Sequence, residues 1–461
     1  MMPQMAPLVL SRSKGGAIRG AINQKWCDTQ HCALSLTLLP AGCTLTSMTN
    51  LAAILETRLP IEQLRLLRDT GAASADMGAG LYLVGGTVRD MLAGRPTVDL
   101  DLAAAGGPDN LPDLLAGRLA GEVVARSQFG TAKLRAGGIE LDLAAARTET
   151  YAYPGALPTV APGGIDRDLA RRDFSINAMA ISLGAETWGE LLDPFEGRRD
   201  LDLGVVRVLH EGSFTDDATR ILRAVRYVGR MGFRLEAETE RLLKRDLARL
   251  DGIGGDRVRR ELARVFAEER AVAILGSAQA LGVLPAVHPS FEFDAGAVRT
   301  RLAALNERLP LTGPWLLAVL VFKSGKPGRD DIAKRLNLDS NWAGVVRDVG
   351  SLREALPRLG RATVRRSEVR ALLHHLEPAS IVGCAVAVED ALARERLELY
   401  LTELRQTRPL LDGDDVMALG VTEGPRVGQI LSALLDARLD GLVSTREDEE
   451  SLVRARVEGP A

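Results

Sequence analysis

The sequence predicts a small α/β sheet domain followed by a long all-helical region. Between Leu81 and Ala144, short apolar runs alternate with helical patterns at the pitch of an α/β sheet. Beyond about residue 205 strand signals vanish, and helical periodicity broken by Gly and Pro turns takes over. Composition agrees: 461 residues, 46% hydrophobic and 26% charged, describe an ordinary globular chain with room for about three domains. Aromatic residues make up only 4%, so the cores must be aliphatic.

Residues 1–48 contain a single acidic residue, Asp28, and no sustained period. They read as a leader outside the fold: transit-peptide-like, functionally silent, or a product of start-codon choice. Cys27, His31, Cys32 and Cys43 fit no standard zinc spacing. Met48 is followed at once by a patterned helix on Leu51, Ile54, Leu59, Ile61, Leu64 and Leu67. Leu81–Val84 then reads as a buried strand, Gly85-Gly86 as a turn and Thr87–Ala93 as a helix. Val98–Ala103 is a second strand and Asn110–Ala120 a second helix. Glu122–Arg126, Thr131–Arg135 and Ile139–Ala144 are further strands. The clearest later helices are Ala218–Met231, Glu238–Leu247, Arg257–Ala267 and Gly428–Ala437. The longest apolar stretch, Trp315–Phe322, is far short of the roughly 20 residues a membrane span needs and reads as a buried helix.

The formal charge of −3 gives no global basic field, so any contact with a polyanion must come from local patches. Only seven of the 58 basic residues are lysine. Arginine suits bidentate phosphate and base contacts, although a genome favouring arginine codons explains the bias equally well. Arg353, Arg358, Arg361, Arg365, Arg366 and Arg370 form a dense basic stretch, either an RNA-contacting surface or a solvated helical face. Three of the four cysteines lie in the leader and only Cys384 in the body, which leaves no pair to staple a core and points to the reducing cytoplasm.

The most informative segment is Leu81-Tyr-Leu-Val-Gly-Gly-Thr-Val-Arg-Asp90, followed by Thr97-Val-Asp-Leu-Asp-Leu102. Gly85 and Gly86, between strand and helix, let the backbone approach a polyphosphate, and the helix start offers free N–H groups to it. Arg89 can add a fork of donors. Asp99 and Asp101, at i and i+2 of a strand, project from one face as two hard oxygen ligands. Facing a phosphate cradle, they form a magnesium site of the kind used in phosphoryl and nucleotidyl transfer. The same Asp-x-Asp pattern at Asp166/Asp168 and Asp200/Asp202 reads as solvated loop carboxylates. Asp142, with Glu140 on the same face of its strand, is a candidate third catalytic carboxylate.

The second block, Asp168-Leu-Ala-Arg-Arg-Asp-Phe-Ser-Ile-Asn-Ala-Met179, carries two arginines, an aspartate and an asparagine on apolar anchors. Arg172 can bind phosphate while Asp173 and Asn177 position a ribose; the plainer alternative is a helix start with Asp173 pairing locally. In the third block Asp217, Arg220, Arg223 and Arg226 recur every three residues along one side of a helix. Asp217 accepts and Arg220 donates, so together they can read the Watson–Crick edge of a nucleobase. An exposed ion-pair ladder is the alternative.

These residues resemble a known family. Gly85-Gly-x-Val-Arg-Asp90 with Asp99-x-Asp101, Arg171-Arg-Asp-Phe-Ser-Ile-Asn-Ala178 and Asp217-x-x-Arg220-x-x-Arg223 occur in the order and spacing of the class II tRNA nucleotidyltransferases. That family comprises the CCA-adding enzymes and the bacterial poly(A) polymerases. The likeness extends to Phe129-Gly-Thr131, Arg147-x-Glu149-x-Tyr151, Asp193-Pro-Phe-x-Gly197, Arg257-Val-Arg-x-Glu-Leu262 and Gly420-x-x-x-Gly-Pro425. It covers about residues 49–450.

The resemblance implies an α/β nucleotidyltransferase head domain (49–180), followed by an all-α neck that recognises the base (181–270), a helical body (271–370) and a tRNA-binding tail (371–461). It implies that Asp99 and Asp101 bind Mg2+, and that Gly86, Arg89 and Arg172 hold the triphosphate. Asp217 and Arg220 would act as an amino-acid template selecting CTP and then ATP, with Arg223 and Arg226 supporting the pocket. The partners implied are the acceptor arm and 3′ end of tRNA, with no membrane and no obligate protein partner. Asp216 stands where the family usually has Glu, and Ala218 where it usually has Pro. The Pro/Gly-containing loop from Tyr151 to Ile165 resembles the element used for the final A, which favours full CCA addition over CC-only or A-only addition or poly(A) synthesis. No His-Asp dipeptide occurs, so the phosphohydrolase domain of some relatives is not expected. A catalytically silent RNA-binding protein is the rival from another class; two metal carboxylates in an anion pocket argue against it.

Overall fold

Alternating apolar positions build the sheet. The computed structural model describes residues 50–96, 99–127, 130–150, 159–305, 311 and 313–458. The leader, Phe129 and residues 151–158 of the Pro/Gly loop lie outside the described residues. Five strands follow the sequence reading closely: β1 (Ala79–Val84), β2 (Leu100–Gly106), β3 (Glu122–Arg126), β4 (Thr131–Ala136) and β5 (Ile139–Ala145). A hairpin, β6 (Arg147–Thr150) and β7 (Thr159–Pro162), leaves the sheet, which β8 (Ala180–Ser182) and β9 (Leu191–Leu192) then complete. The order is β3-β4-β5-β2-β1-β8-β9; β2 and β5 run parallel and every other pair is antiparallel.

The period of two gives this sheet two unlike faces. Leu81, Leu83, Leu100, Leu102, Leu141 and Leu143 point into the main core, against helices carrying Leu67 and Leu115. Asp101 and Asp142, directly opposite each other across the β2–β5 pair, alternate with those leucines and so occupy the other face. That face carries only a small cluster, Val84, Ala103, Ile165, Leu169 and Ala180. Polar chemistry therefore has room beside it.

Several expectations are corrected. The sheet runs on to Leu192, so a head boundary at residue 180 cuts through it; β8 is only three residues, all buried, too short to show the alternation that marks a strand. The first helix is two, Ala52–Arg58 and Ile61–Asp76, because Pro60 has no N–H to continue the ladder. Strands do not vanish after residue 205: β10 (Val205–Val206) pairs with β11 (Arg234–Leu235), too short a ladder to show a period. Asp168 and Asp200 are not solvated but buried, each gripped by arginine.

The remainder is helical. Thr219–Met231 buries Ile221, Leu222, Ala224 and Val225 and packs on Gly255–Phe266 and Ala271–Ala280. Its last carbonyls, of Arg230 and Met231, accept from Arg95, which ties this helix back to the segment just ahead of β2. Trp315–Val321 is buried at all seven positions, as its unbroken apolar run predicts. Leu411, Val416, Val421, Ile430, Leu434 and Val453 form a separate small core near the C-terminal end. Within the basic stretch, Arg358 and Arg365 pair with Glu368, Arg366 pairs with Glu403, and Arg353 donates to the Ser324 carbonyl. Three of the six arginines are thus held in ion pairs and Arg353 by a backbone carbonyl. Among the described residues no helix is long and apolar enough to cross a membrane.

Gly229 sits where Thr219–Met231 crosses Ala271–Ala280, and a Cβ there would drive into the Ile274 side chain. Gly229→Ala is expected to lower stability by about 1–3 kcal/mol through overpacking, despite the better helix propensity of alanine. Urea unfolding checks this, and an unchanged midpoint would contradict the packing.

Candidate active site

The turn after β1 sets the site. Gly85 has φ 66°, left-handed backbone that glycine adopts without strain, and a Cβ there would lie 2.7 Å from Arg172 Nη1. The positive φ calls for glycine, and a Cβ would also push the Arg172 guanidinium aside. Beside it, a Cβ on Gly86 would stand 3.9 Å from Asp101 Oδ2. Thr87 locks β2 to this turn: its hydroxyl donates to the Asp99 carbonyl at 2.9 Å and accepts from the Asp101 N–H at 3.1 Å. The turn and the Asp101 carboxylate are thereby brought together. The Asp101 carboxyl is held above the usual aspartate range, first by burial and then by the negative charges of Asp142 and Asp99. This is an excess of negative charge with hard oxygen donors, which a divalent cation would relieve.

The second block supplies a buried network. Both oxygens of Asp173 are engaged: Oδ1 accepts from the Phe174 N–H and from Asn177 Nδ2, each at 2.9 Å, and Oδ2 accepts from Arg223 Nε at 2.8 Å. Asn177 Oδ1 accepts in turn from Arg89 Nη1 at 2.6 Å. Burial alone would raise the Asp173 carboxyl, but the Arg223 guanidinium and Asn177 hold it below the usual range. Arg89, Arg223 and Arg226 surround the Tyr227 ring with guanidinium carbons 5.1, 5.7 and 4.9 Å from its centroid.

This corrects two expectations. Arg89 is buried and its fork grips Asp90 (Nε to Oδ1 2.9 Å, Nη2 to Oδ2 2.7 Å), because an interior guanidinium takes the nearest carboxylate as counterion. Arg226 pairs with Glu268 at 3.2 Å and does not line the cavity. Arg172 remains the guanidinium against the glycine turn, steered there by Asp168 Oδ2 at 2.8 Å.

The third block faces the same space. Asp217 lies just ahead of Thr219–Met231, and its Oδ1 accepts from the Thr219 N–H (2.9 Å), the Thr219 hydroxyl (2.7 Å) and Arg257 Nη2 (2.7 Å). None of these uses Oδ2. Arg220 is fixed by Ser213 Oγ at 2.7 Å and the Arg171 carbonyl at 2.8 Å. Acceptor and donor thus line one cavity, each held by its own partners.

A single cavity of about 420 Å3 is lined by Gly85, Gly86, Arg89, Asp101, Arg172, Asp173, Asn177, Asp217, Arg220 and Arg223. Ten of the sequence-predicted residues therefore meet in one place. Asp99 is exposed, does not line the cavity and precedes β2, which begins at Leu100, so, contrary to expectation, it does not share the strand with Asp101; Asp142 lies one strand further from the turn than Asp101. Among the described residues no three carboxylate, histidine or cysteine groups form a ready metal cage. Two carboxylates completed by substrate phosphates and water suit Mg2+ without one. Glu149, Arg171 and Tyr227 also line the cavity and were not singled out as site residues. Tyr227 stands one turn after Arg223, the only signal that could have found it.

A family model described as the poly A polymerase head domain matches residues 81–207. An A-adding tRNA nucleotidyltransferase of Halalkalibacterium halodurans is 32% identical over 88% of this chain and 95% of its own length. One of Geobacter sulfurreducens is also 32% identical, over 86% of this chain, but the chain spans only 47% of that relative. A CC-adding enzyme of the same organism is 31% identical over 81% of this chain and 91% of its own length. Among solved structures, a CCA-adding enzyme in an apo form superposes with TM-score 0.76 at 29% identity, covering 89% of this chain and 99% of that one. The Thermotoga maritima CCA-adding enzyme complexed with tRNA gives TM-score 0.73 at 28% identity over the same shares.

Two stability outcomes follow from the charges. Asp173→Ala, which strands Arg223, is expected to cost about 3–5 kcal/mol. Because the Asp173 carboxyl is depressed in the fold, its contribution is present above the unfolded pKa and is lost as pH falls through the folded value. Asp101 has the opposite sign. Its raised pKa opposes folding at neutral pH, so metal-free Asp101→Asn should melt above wild type at pH 7, with the gap closing as pH falls through the raised value. Melting curves across pH check both, and an Asp101→Asn protein that melts lower at pH 7 would contradict the charge excess.

Proposed function

Because the chain belongs to the tRNA nucleotidyltransferase family that includes the CCA-adding enzymes, we propose that it completes the tRNA 3′ end by adding C, C and A from CTP and ATP. The observation that carries this reading is the meeting, in one cavity, of Asp101 and the Gly85–Gly86 turn with the Asp217/Arg220 pair. The first two serve the reacting phosphate. The last two serve the base.

Arg172 and the backbone at Gly85–Gly86 hold the triphosphate. Asp217 Oδ2 accepts from an exocyclic amine while Arg220 donates to the adjacent ring nitrogen. Cytosine and adenine both offer that donor–acceptor order, whereas guanine and uracil present a carbonyl and a ring N–H, which clash with it. Two residues thus pass C and A and reject G and U without a nucleic-acid template. Asp99 and Asp101 would hold Mg2+; when bound, it lowers the pKa of the attacking 3′-hydroxyl and neutralises charge on the α-phosphate. The 3′-oxygen bonds to the α-phosphorus and pyrophosphate leaves, so no protein nucleophile is needed.

A-only addition is the second reading. It is supported by the A-adding names of two of the relatives above and by Asp216 and Ala218 beside the template. tRNA lacking its 3′ end, incubated with CTP, with ATP and with both, separates the two. Growth by three nucleotides with both supports CCA addition; extension only of tRNA already ending in CC, by a single A, overturns it in favour of A addition.

Asp101→Ala should lower incorporation by about 10³-fold or more while tRNA binding persists. Asp217→Ala and Arg220→Ala should each weaken discrimination against GTP and UTP by about 10- to 100-fold. Unchanged selectivity in both variants, measured by product sequencing with mixed nucleotides, would remove them from base reading.

A further inference from the structure

Lys133 on β4 lies directly opposite Asp142 on β5, which lies directly opposite Asp101 on β2. The three side chains form a row across one face of the sheet. The Lys133 ammonium stands 3.0 Å from Asp142 Oδ1 and 3.1 Å from Oδ2, so it grips both carboxylate oxygens, and it reaches Glu140 Oε2 at 3.5 Å. Glu140 is drawn the other way by Arg135 at 2.8 Å. One lysine is thus committed to the carboxylate next to the proposed metal ligands, in a chain with only seven lysines.

We infer that Lys133 is a positioning residue that withholds Asp142 from the metal, keeping the centre a two-carboxylate site whose remaining coordination positions are open to the triphosphate and the 3′-hydroxyl. A third carboxylate in the same row, unpaired, would add both charge and a ligand. A hard cation would then be held by protein oxygens at positions the substrate must fill. Lys133 prevents this by occupying both Asp142 oxygens and by offsetting their charge. It touches no substrate and acts only through Asp142. The inference rests on the metal reading of Asp99 and Asp101, and its test separates the two.

Mn2+ binding to the nucleotide-free protein, followed by electron paramagnetic resonance, reads the site without turnover. Lys133→Met is expected to tighten Mn2+ binding by about tenfold, the scale of removing one positive charge within a few ångströms of a half-exposed site. Lys133→Arg should bind as wild type, because it keeps the charge and the pairing. Lys133→Met combined with Asp142→Asn should return close to wild-type affinity, because charge and spare ligand disappear together. Unchanged affinity in Lys133→Met overturns the inference. So does tightening that persists undiminished in the double variant, which would make Lys133 a source of general field alone. In either case, loss of Mn2+ binding in Asp101→Asn leaves the metal reading standing. Wild-type Mn2+ affinity in Asp101→Asn overturns both.

Discussion

The ion pair between Asp173 and Arg223 is the interaction on which the site depends. Asp173 belongs to the segment that leads into β8 of the sheet, and Arg223 to the helix that carries Arg220 and follows Asp217, the pair proposed to read the base. Through Asn177 the same carboxylate reaches Arg89 beside the glycine turn. One buried charge therefore ties the glycine-turn side of the cavity to the helix that carries Arg220. A buried pair of this kind adds little net stability compared with apolar packing, but it tolerates few alternative arrangements. Registry is what it contributes here.

Registry matters because the selectivity proposed above is geometric. Cytosine and adenine differ in size, yet present the same amine and ring acceptor at one edge. A reader of that edge must sit at a set distance from the α-phosphate, or it would accept a base whose phosphate is out of reach of attack. Thr219 and Arg257 orient Asp217, Ser213 and the Arg171 carbonyl orient Arg220, and Arg95 anchors the far end of the same helix. Each of these contacts removes a freedom that would blur the reading.

Much of this was legible in the sequence. Leucine alternation placed five strands to within a few residues, and the Gly85-Gly86, Asp-x-Asp and Asp217/Arg220 blocks each led to residues that the fold brings into one cavity, Asp99 excepted. What escaped was set by tertiary partners. Asp168 and Asp200 look like solvated loop acids until the arginines that bury them are seen. Arg89 looks available for phosphate, but the adjacent Asp90 captures its fork. Arg226 keeps the three-residue rhythm of Arg220 and Arg223, yet the accumulated turn carries it to Glu268 and out of the cavity. Lys133 is nine residues from Asp142 along the chain, and only the β4–β5 register makes them partners.

The central claim is that one cavity holds the triphosphate against Gly85, Gly86 and Arg172 while Asp217 and Arg220 hold the base. A crystal structure of the protein with a non-hydrolysable CTP or ATP analogue and Mg2+ tests it most directly. The account predicts an exocyclic amine within hydrogen-bond distance of Asp217 Oδ2, a ring nitrogen facing Arg220, and the metal between Asp101 and the phosphates. A nucleotide whose base lies away from Asp217 and Arg220, or whose phosphates lie away from the glycine turn, would contradict it.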